Sequence, residues 1–190
     1  MEEFLRFSNL PPYAFPRLSA LLQDIEAPDK AILMHIGEPT HKFPSFIKET
    51  ILEHFVKFNS YPLNDGTPGL LTGIVSWISK RYNIQELDYK KNIISLNGTR
   101  EGLFNSTIAL SPYSKNNKKP AILLPNPFYQ CYMVAAKAVG AEPIFVPAIK
   151  ETNFLPDFSQ LPKEVLERTT ICFICSPSNP QGALATDEYW

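Results

Sequence analysis

Asn97-Gly98-Thr99-Arg100-Glu101 is the stretch of this chain best suited to hold an anion. It follows the apolar run 93–96, which reads as a strand, and precedes residues spaced as a helix toward Leu110. A helix begins with N–H groups that have no partner inside it, and the positive end of its dipole adds to their pull on negative charge. Gly98 lacks the Cβ that would hold an anion off the backbone. Thr99 adds a hydroxyl, and Arg100 a permanent charge suited to phosphate. The chemistry is phosphate binding. The competing reading is an ordinary capped turn, because Asn and Thr both cap helices well.

Other chemistry-bearing residues read more plainly. Cys172 and Cys175 form C-x-x-C, but inside the apolar run 170–175. In an extended strand they point to opposite faces, so a shared metal or a disulfide is disfavoured. With Cys131 they are expected to be buried and structural. His35 and His41 flank a turn and His54 lies on a helix flank, which is no metal-ligand spacing. Lys115, Lys118 and Lys119 sit among Ser and Asn and read as a solvated loop.

The elements that must position these residues follow from periodicity. Pro11, Pro12 and Pro16 set an irregular arm, followed by a helix over about 17–25. A short strand is expected at 32–36 and a turn at Gly37-Glu38-Pro39-Thr40. Helices are expected over 44–58 and 69–82, separated by a segment rich in Pro, Gly and Asn that carries Tyr61. After the helix that starts near Thr99 come strands at 121–124, 143–147 and 170–175. Between them lie a helix stopping at Gly140 and a short helix at 163–168, and Thr186 then reads as an N-cap. Strands alternating with amphipathic helices mean α/β with a mainly parallel sheet. Runs 93–96, 121–124 and 170–175 each end in a special loop. Ligands of open parallel sheets bind beyond the carboxyl ends of the strands, so the three loops can meet at one pocket.

Composition bounds the rest. The chain has 190 residues, 44% of them hydrophobic and 12% aromatic, enough for a real core. A net charge of -1 leaves no nucleic-acid or acidic-membrane footprint. The first ten residues do not read as a signal peptide, and no run has the ~18 apolar residues of a membrane helix. A cytoplasmic protein is expected.

Taken in order, Tyr61 to Gly66, Asn97-Gly98-Thr99-Arg100-Glu101, Asn126-Pro127-Phe128-Tyr129 and Ser178-Asn179-Pro180-Gln181-Gly182 resemble the fold-type I, class I/II pyridoxal-phosphate aminotransferases. The resemblance covers essentially the whole chain. It is closer to the bacterial succinyldiaminopimelate aminotransferases in Pro12-Tyr13-Ala14-Phe15-Pro16-Arg17-Leu18, Ile36-Gly37-Glu38-Pro39-Thr40-His41 and Pro125-Asn126-Pro127-Phe128-Tyr129-Gln130.

The resemblance implies an N-terminal arm and small-domain segment at 1–43. It implies an incomplete, mainly parallel large-domain sheet with flanking helices at 44–190. Gly98, Thr99 and Arg100 would hold the phosphate of pyridoxal 5′-phosphate. Tyr129 would stack on its ring, and Asn179 would bond the ring's phenolic oxygen. By residue type alone, Tyr129 also suits a core aromatic and Asn179 an Asx turn. Tyr61 would reach the phosphate of a neighbouring copy in a homodimer, and Gly37 would lie near the substrate carboxylate; the alternatives are a locally packed aromatic and a plain turn glycine. No metal is implied. Substrates would be amino acids and 2-oxo acids, here N-succinyl-LL-diaminopimelate with 2-oxoglutarate. The alternatives are an aspartate, LL-diaminopimelate or aromatic aminotransferase, a C–S lyase, or a non-enzymatic regulatory module.

The family's Schiff-base lysine has no counterpart among these residues, and Ser79-Lys80 lies on an amphipathic helix instead. The resemblance therefore implies the N-terminal part of a longer enzyme, inactive and poorly folded as 190 residues alone. It also implies later strands between those of 93–96, 121–124 and 170–175, whose edges would otherwise stay uncovered.

Overall fold

The computed structural model describes residues 7, 10–32, 34 and 36–190. They divide into two compact units, Pro12–Ser95 and Leu96–Trp190, the second with the described residues among the first eleven. The expected strand at 32–36 includes Leu33 and His35, which lie outside the described residues; Ile32, Met34 and Ile36 are exposed and in no strand.

In the first unit the helix expected from residue 17 begins earlier, as α1, Ala14–Leu22. Pro16 falls in its first turn, where a missing N–H leaves no hydrogen bond unmade. The helix expected over 44–58 is α2, Phe46–Glu53, which tightens into a 3-10 turn at Phe55–Asn59. α3 runs Pro68–Tyr82, with Pro68 at its start and the Thr67 hydroxyl accepting from the N–H of Leu70 at 3.3 Å. Asn83 closes it in the left-handed conformation. α4, Tyr89–Asn92, was not legible in the periodicity; the Asp88 carboxylate caps it through the N–H of Lys90 at 2.9 Å. Among the described residues of this unit only Leu71 is a buried hydrophobic, and Trp77, Phe55 and Phe58 are exposed.

The second unit holds the sheet. α5 is Thr99–Leu110, β1 Ala121–Asn126, α6 Cys131–Ala138, β2 Glu142–Pro147, α7 Lys163–Arg168 and β3 Thr169–Cys172. The strands are parallel in the order β2-β1-β3. β1 is central and its first five residues are buried, the continuous apolar reading of a strand covered on both faces. α6 ends in a Schellman motif. Gly140 sits at φ 73, its N–H donates to the Lys137 carbonyl, and the N–H of Ala141 donates to that of Ala136. The core joins Ile122 and Leu124 of β1 to Tyr132, Met133 and Ala136 of α6, with Ala141 and Phe173.

Three expectations are corrected. Run 93–96 is extended at Ile93 (φ -120, ψ 135) but pairs with no strand among the described residues. A strand needs a neighbour to hydrogen-bond, whatever its apolar content. β1 and β3 are direct neighbours, through Ala121↔Thr169, Ile122↔Ile171 and Leu123↔Cys172, so nothing lies between them. β3 also stops at Cys172 instead of 175; one more ladder bond, from Phe173 N–H to the Leu123 carbonyl, ends the pairing.

Candidate active site

β1 leads to β2 on one side, and the chain then crosses back to place β3 on the other. The winding thus reverses at β1, and crevices at such reversals, beyond the strands' carboxyl ends, are where ligands of open sheets bind. Loops 127–130 and 173–182 leave the sheet at this rim. The Gln181 side-chain amide donates to the Pro127 carbonyl at 3.2 Å and ties them together. The second loop is braced from within: the N–H of Ser178 donates to the Ala183 carbonyl, and the Ser178 hydroxyl accepts from the N–H of Ala183. The peptide bonds preceding Pro127, Pro177 and Pro180 are cis.

The start of α5 joins the same rim. Gly98 is its N-cap at φ 119, ψ 151, a region open essentially to glycine alone. No side chain caps the helix, so the Asn97 or Thr99 capped turn is not what forms here. The first N–H of α5 taken by the preceding backbone is that of Gly102, bonded to the Gly98 carbonyl. A Cβ built on Gly98 would meet nothing within 4 Å, so the space before the helix is open. Arg100 reaches from this turn to the next loop, its Nε–H donating to the Tyr129 hydroxyl at 2.6 Å. The Cys131 thiol donates to the Arg100 carbonyl at 3.3 Å.

Gly98, Thr99, Arg100 and Tyr129 therefore come together, and Asn179 lies exposed in the loop tied to Pro127. Among the described residues the Asn179 side chain makes no hydrogen bond, so the Asx turn is not formed. Tyr61 and Gly37 belong to the other unit. Tyr61 is 101% exposed, so it is not packed locally. Gly37 has no left-handed φ and no crowding at a built Cβ, so the backbone there does not itself demand glycine.

Tyr132 and Phe173 were not singled out in the sequence. Tyr132 is buried, stacks on Phe173 at 4.3 Å and 10°, and meets Tyr129 edge-on at 5.7 Å and 80°. The i, i+3 spacing of Tyr129 and Tyr132 at a helix start was the available signal. Burial pushes the Tyr132 phenol up to about 12, with the Cys175 thiol, Cys131 and Tyr129 adding to the effect.

Cys131 is raised by burial, and the Arg100 charge partly offsets this. Cys172 corrects the buried expectation in part: the residue is exposed overall, yet desolvation takes its thiol up to about 11. Both remain free thiols, as does Cys175. Nor is the lysine loop merely solvated. Lys115 donates to the Thr169 carbonyl and Lys118 pairs with Glu164 at 3.6 Å. These contacts lie where β3 begins, at the far end of the sheet from the rim.

The family description Aminotransferase class I and II matches residues 29–190. The chain belongs to the class I and II aminotransferases. Across all of its length it is 30% identical to the LL-diaminopimelate aminotransferase of Halothermothrix orenii, of which it covers 48%. An aminotransferase structure from Neisseria meningitidis superposes with a TM-score of 0.87 at 35% identity, over 97% of this chain and 47% of that one. The aminotransferase AspB structure from Helicobacter pylori gives 0.83 at 33% identity, over 95% and 46%. The chain thus spans about half the length of the curated relatives it matches.

Proposed function

We propose that the protein is the part of a pyridoxal-phosphate-dependent aminotransferase that grips the cofactor, acting on a diaminopimelate skeleton with 2-oxoglutarate as amino acceptor. The observation carrying this is the meeting of an uncapped helix start, a tyrosine ring and the Ser176–Gly182 loop at the rim where the sheet reverses. The residues fit the cofactor. The backbone N–H groups of Thr99, Arg100 and Glu101 and the Thr99 hydroxyl take the phosphate. Gly98 keeps the approach open. Tyr129 offers a flat face to the ring, and the exposed Asn179 amide donates to its phenolic oxygen.

Pyridoxal phosphate, when bound, supplies the electron sink for chemistry at the substrate α-carbon. The chain's own part is to bind, orient and hold that group. Gly37 approaches the substrate carboxylate. Tyr61, exposed on a loop, reaches the phosphate of a second copy in a homodimer. The lysine that moves the proton is assigned to residues beyond these. A cytoplasmic location is part of the same proposal; no helix among the described residues is long and apolar enough to cross a membrane.

The names of the relatives favour free LL-diaminopimelate over its N-succinylated form as amino donor. The test is amino transfer to 2-oxoglutarate by the product of the complete gene, supplied with pyridoxal phosphate and each donor in turn. Turnover of LL-diaminopimelate supports the proposal, and turnover of the N-succinyl compound alone reverses the donor preference. Glutamate formation from neither donor refutes the substrate class.

A further inference from the structure

The Arg100 side chain is turned toward Tyr129. Its Nε–H donates to the phenolic oxygen at 2.6 Å, and its guanidinium carbon stands 5.7 Å from the ring centroid. At that separation the guanidinium is also within cation–π range of the ring, so the same side chain holds Tyr129 through its hydroxyl and its π-system. Tyr132 closes a second side of Tyr129, edge-on at 80°. Tyr132 is itself immobilised: it is buried and stacked on Phe173. Phe173 and Cys175 open the segment that becomes the Ser176–Gly182 loop. The Cys131 thiol adds a tie from α6 to the Arg100 carbonyl. Three chain segments that are remote in sequence are thereby locked around one ring.

We propose that Arg100 and Tyr132 are positioning residues for Tyr129. The guanidinium anchors its hydroxyl, the Tyr132–Phe173 stack backs its edge, and the Arg100 side chain serves the cofactor through this ring rather than as a phosphate ligand. The inference rests on the cofactor reading above and assigns the phosphate to backbone N–H groups and Thr99. A charge-assisted hydrogen bond that holds a ring at its binding angle is worth on the order of a tenfold change in affinity.

The test uses the product of the complete gene and three probes: pyridoxamine 5′-phosphate, pyridoxamine without the phosphate, and inorganic phosphate. Dissociation constants are read by calorimetry or protein fluorescence. Arg100→Gln is expected to weaken both ring-bearing probes by a similar factor, about tenfold, and to spare inorganic phosphate. Tyr129→Phe keeps the ring and removes the acceptor, so it should match that loss, and the double variant should be no worse than the weaker single one. Tyr132→Leu should also weaken the two ring-bearing probes and spare phosphate.

If Arg100→Gln weakens the two phosphate-bearing probes and leaves pyridoxamine unchanged, the guanidinium is a phosphate ligand and the inference is overturned. If Tyr132→Leu loses all three probes, Tyr132 is structural only and its positioning role is overturned. A wild type that binds pyridoxamine 5′-phosphate no better than inorganic phosphate overturns the cofactor reading itself.

Discussion

Gly98 and Gly102 lie four residues apart on the same helix start, and replacing each by alanine separates backbone strain from crowding. Gly98 sits at φ 119, ψ 151, where an L-residue is strained by about 1–3 kcal/mol. Its built Cβ meets nothing within 4 Å, so the whole effect of Gly98→Ala is conformational. Relaxing the strain would rotate the peptide that aims the first N–H groups of α5, so anion binding should weaken along with stability. Gly102 is the reverse case. Its backbone is helical, and the added methyl would press on Leu96 Cδ1, the tip of a side chain that is half exposed and can swing away. Replacing glycine by alanine inside a helix also gains about 1 kcal/mol in propensity.

Gly98→Ala should therefore lower the unfolding free energy by about 1–3 kcal/mol. Gly102→Ala should stay within about 1 kcal/mol of wild type. Urea denaturation of the complete gene product gives both numbers, and inorganic phosphate binding reads the helix start directly. A Gly98→Ala protein as stable as wild type with unchanged phosphate affinity would show the reasoning about this turn to be wrong. So would Gly102→Ala proving the more damaging of the two.

Other outcomes follow from single contacts. Arg168 is mostly buried; it pairs with Glu142 at 2.8 Å and donates to the Lys119 carbonyl at 3.2 Å. Arg168→Met strands both acceptors at the base of the sheet and should cost about 1–3 kcal/mol in urea denaturation. Glu142, which is more exposed, should cost clearly less when changed to Gln.

The Cys172 thiol, pushed up to about 11 by burial, should react slowly with iodoacetamide at pH 8 and about tenfold faster per pH unit until near that value. A plateau already at pH 9 would contradict the desolvation. In the sign of the linkage, the folded state holds the Cys172 proton more tightly than the unfolded state. Between about pH 9 and 11 the unfolded chain thus binds fewer protons, and stability falls as pH rises. Cys172→Ala should flatten that fall. Asn179→Ala should weaken pyridoxamine 5′-phosphate and leave inorganic phosphate unchanged, because its amide is assigned to the ring; equal weakening of both would refute the assignment.

Elements with strong local signals were legible in the order of residues alone. The strand at 121–124 could be read from its apolar run, the helix over 69–82 from its apolar spacing, and the end of α6 from Gly140, while the structure extends the strand to Asn126 and starts the helix at Pro68 behind its Thr67 cap. Gly98 could be read as the turn before a helix, but residue types alone left an anion cradle and an ordinary capped turn both open. Family membership was legible in four ordered loop motifs, which no local propensity would explain.

Features that depend on a partner segment emerged only in the folded chain. Run 93–96 has strand composition but no neighbour among the described residues, because pairing is a property of two segments and not of one. The adjacency of β1 and β3, and with it the reversal that makes the rim, is set by a crossover that periodicity does not encode. The turn of Arg100 toward Tyr129, and of Tyr132 onto Phe173, follows from distances between residues far apart in the chain. Side-chain type states what a residue can bond, and only the folded backbone brings the bonding partner within reach.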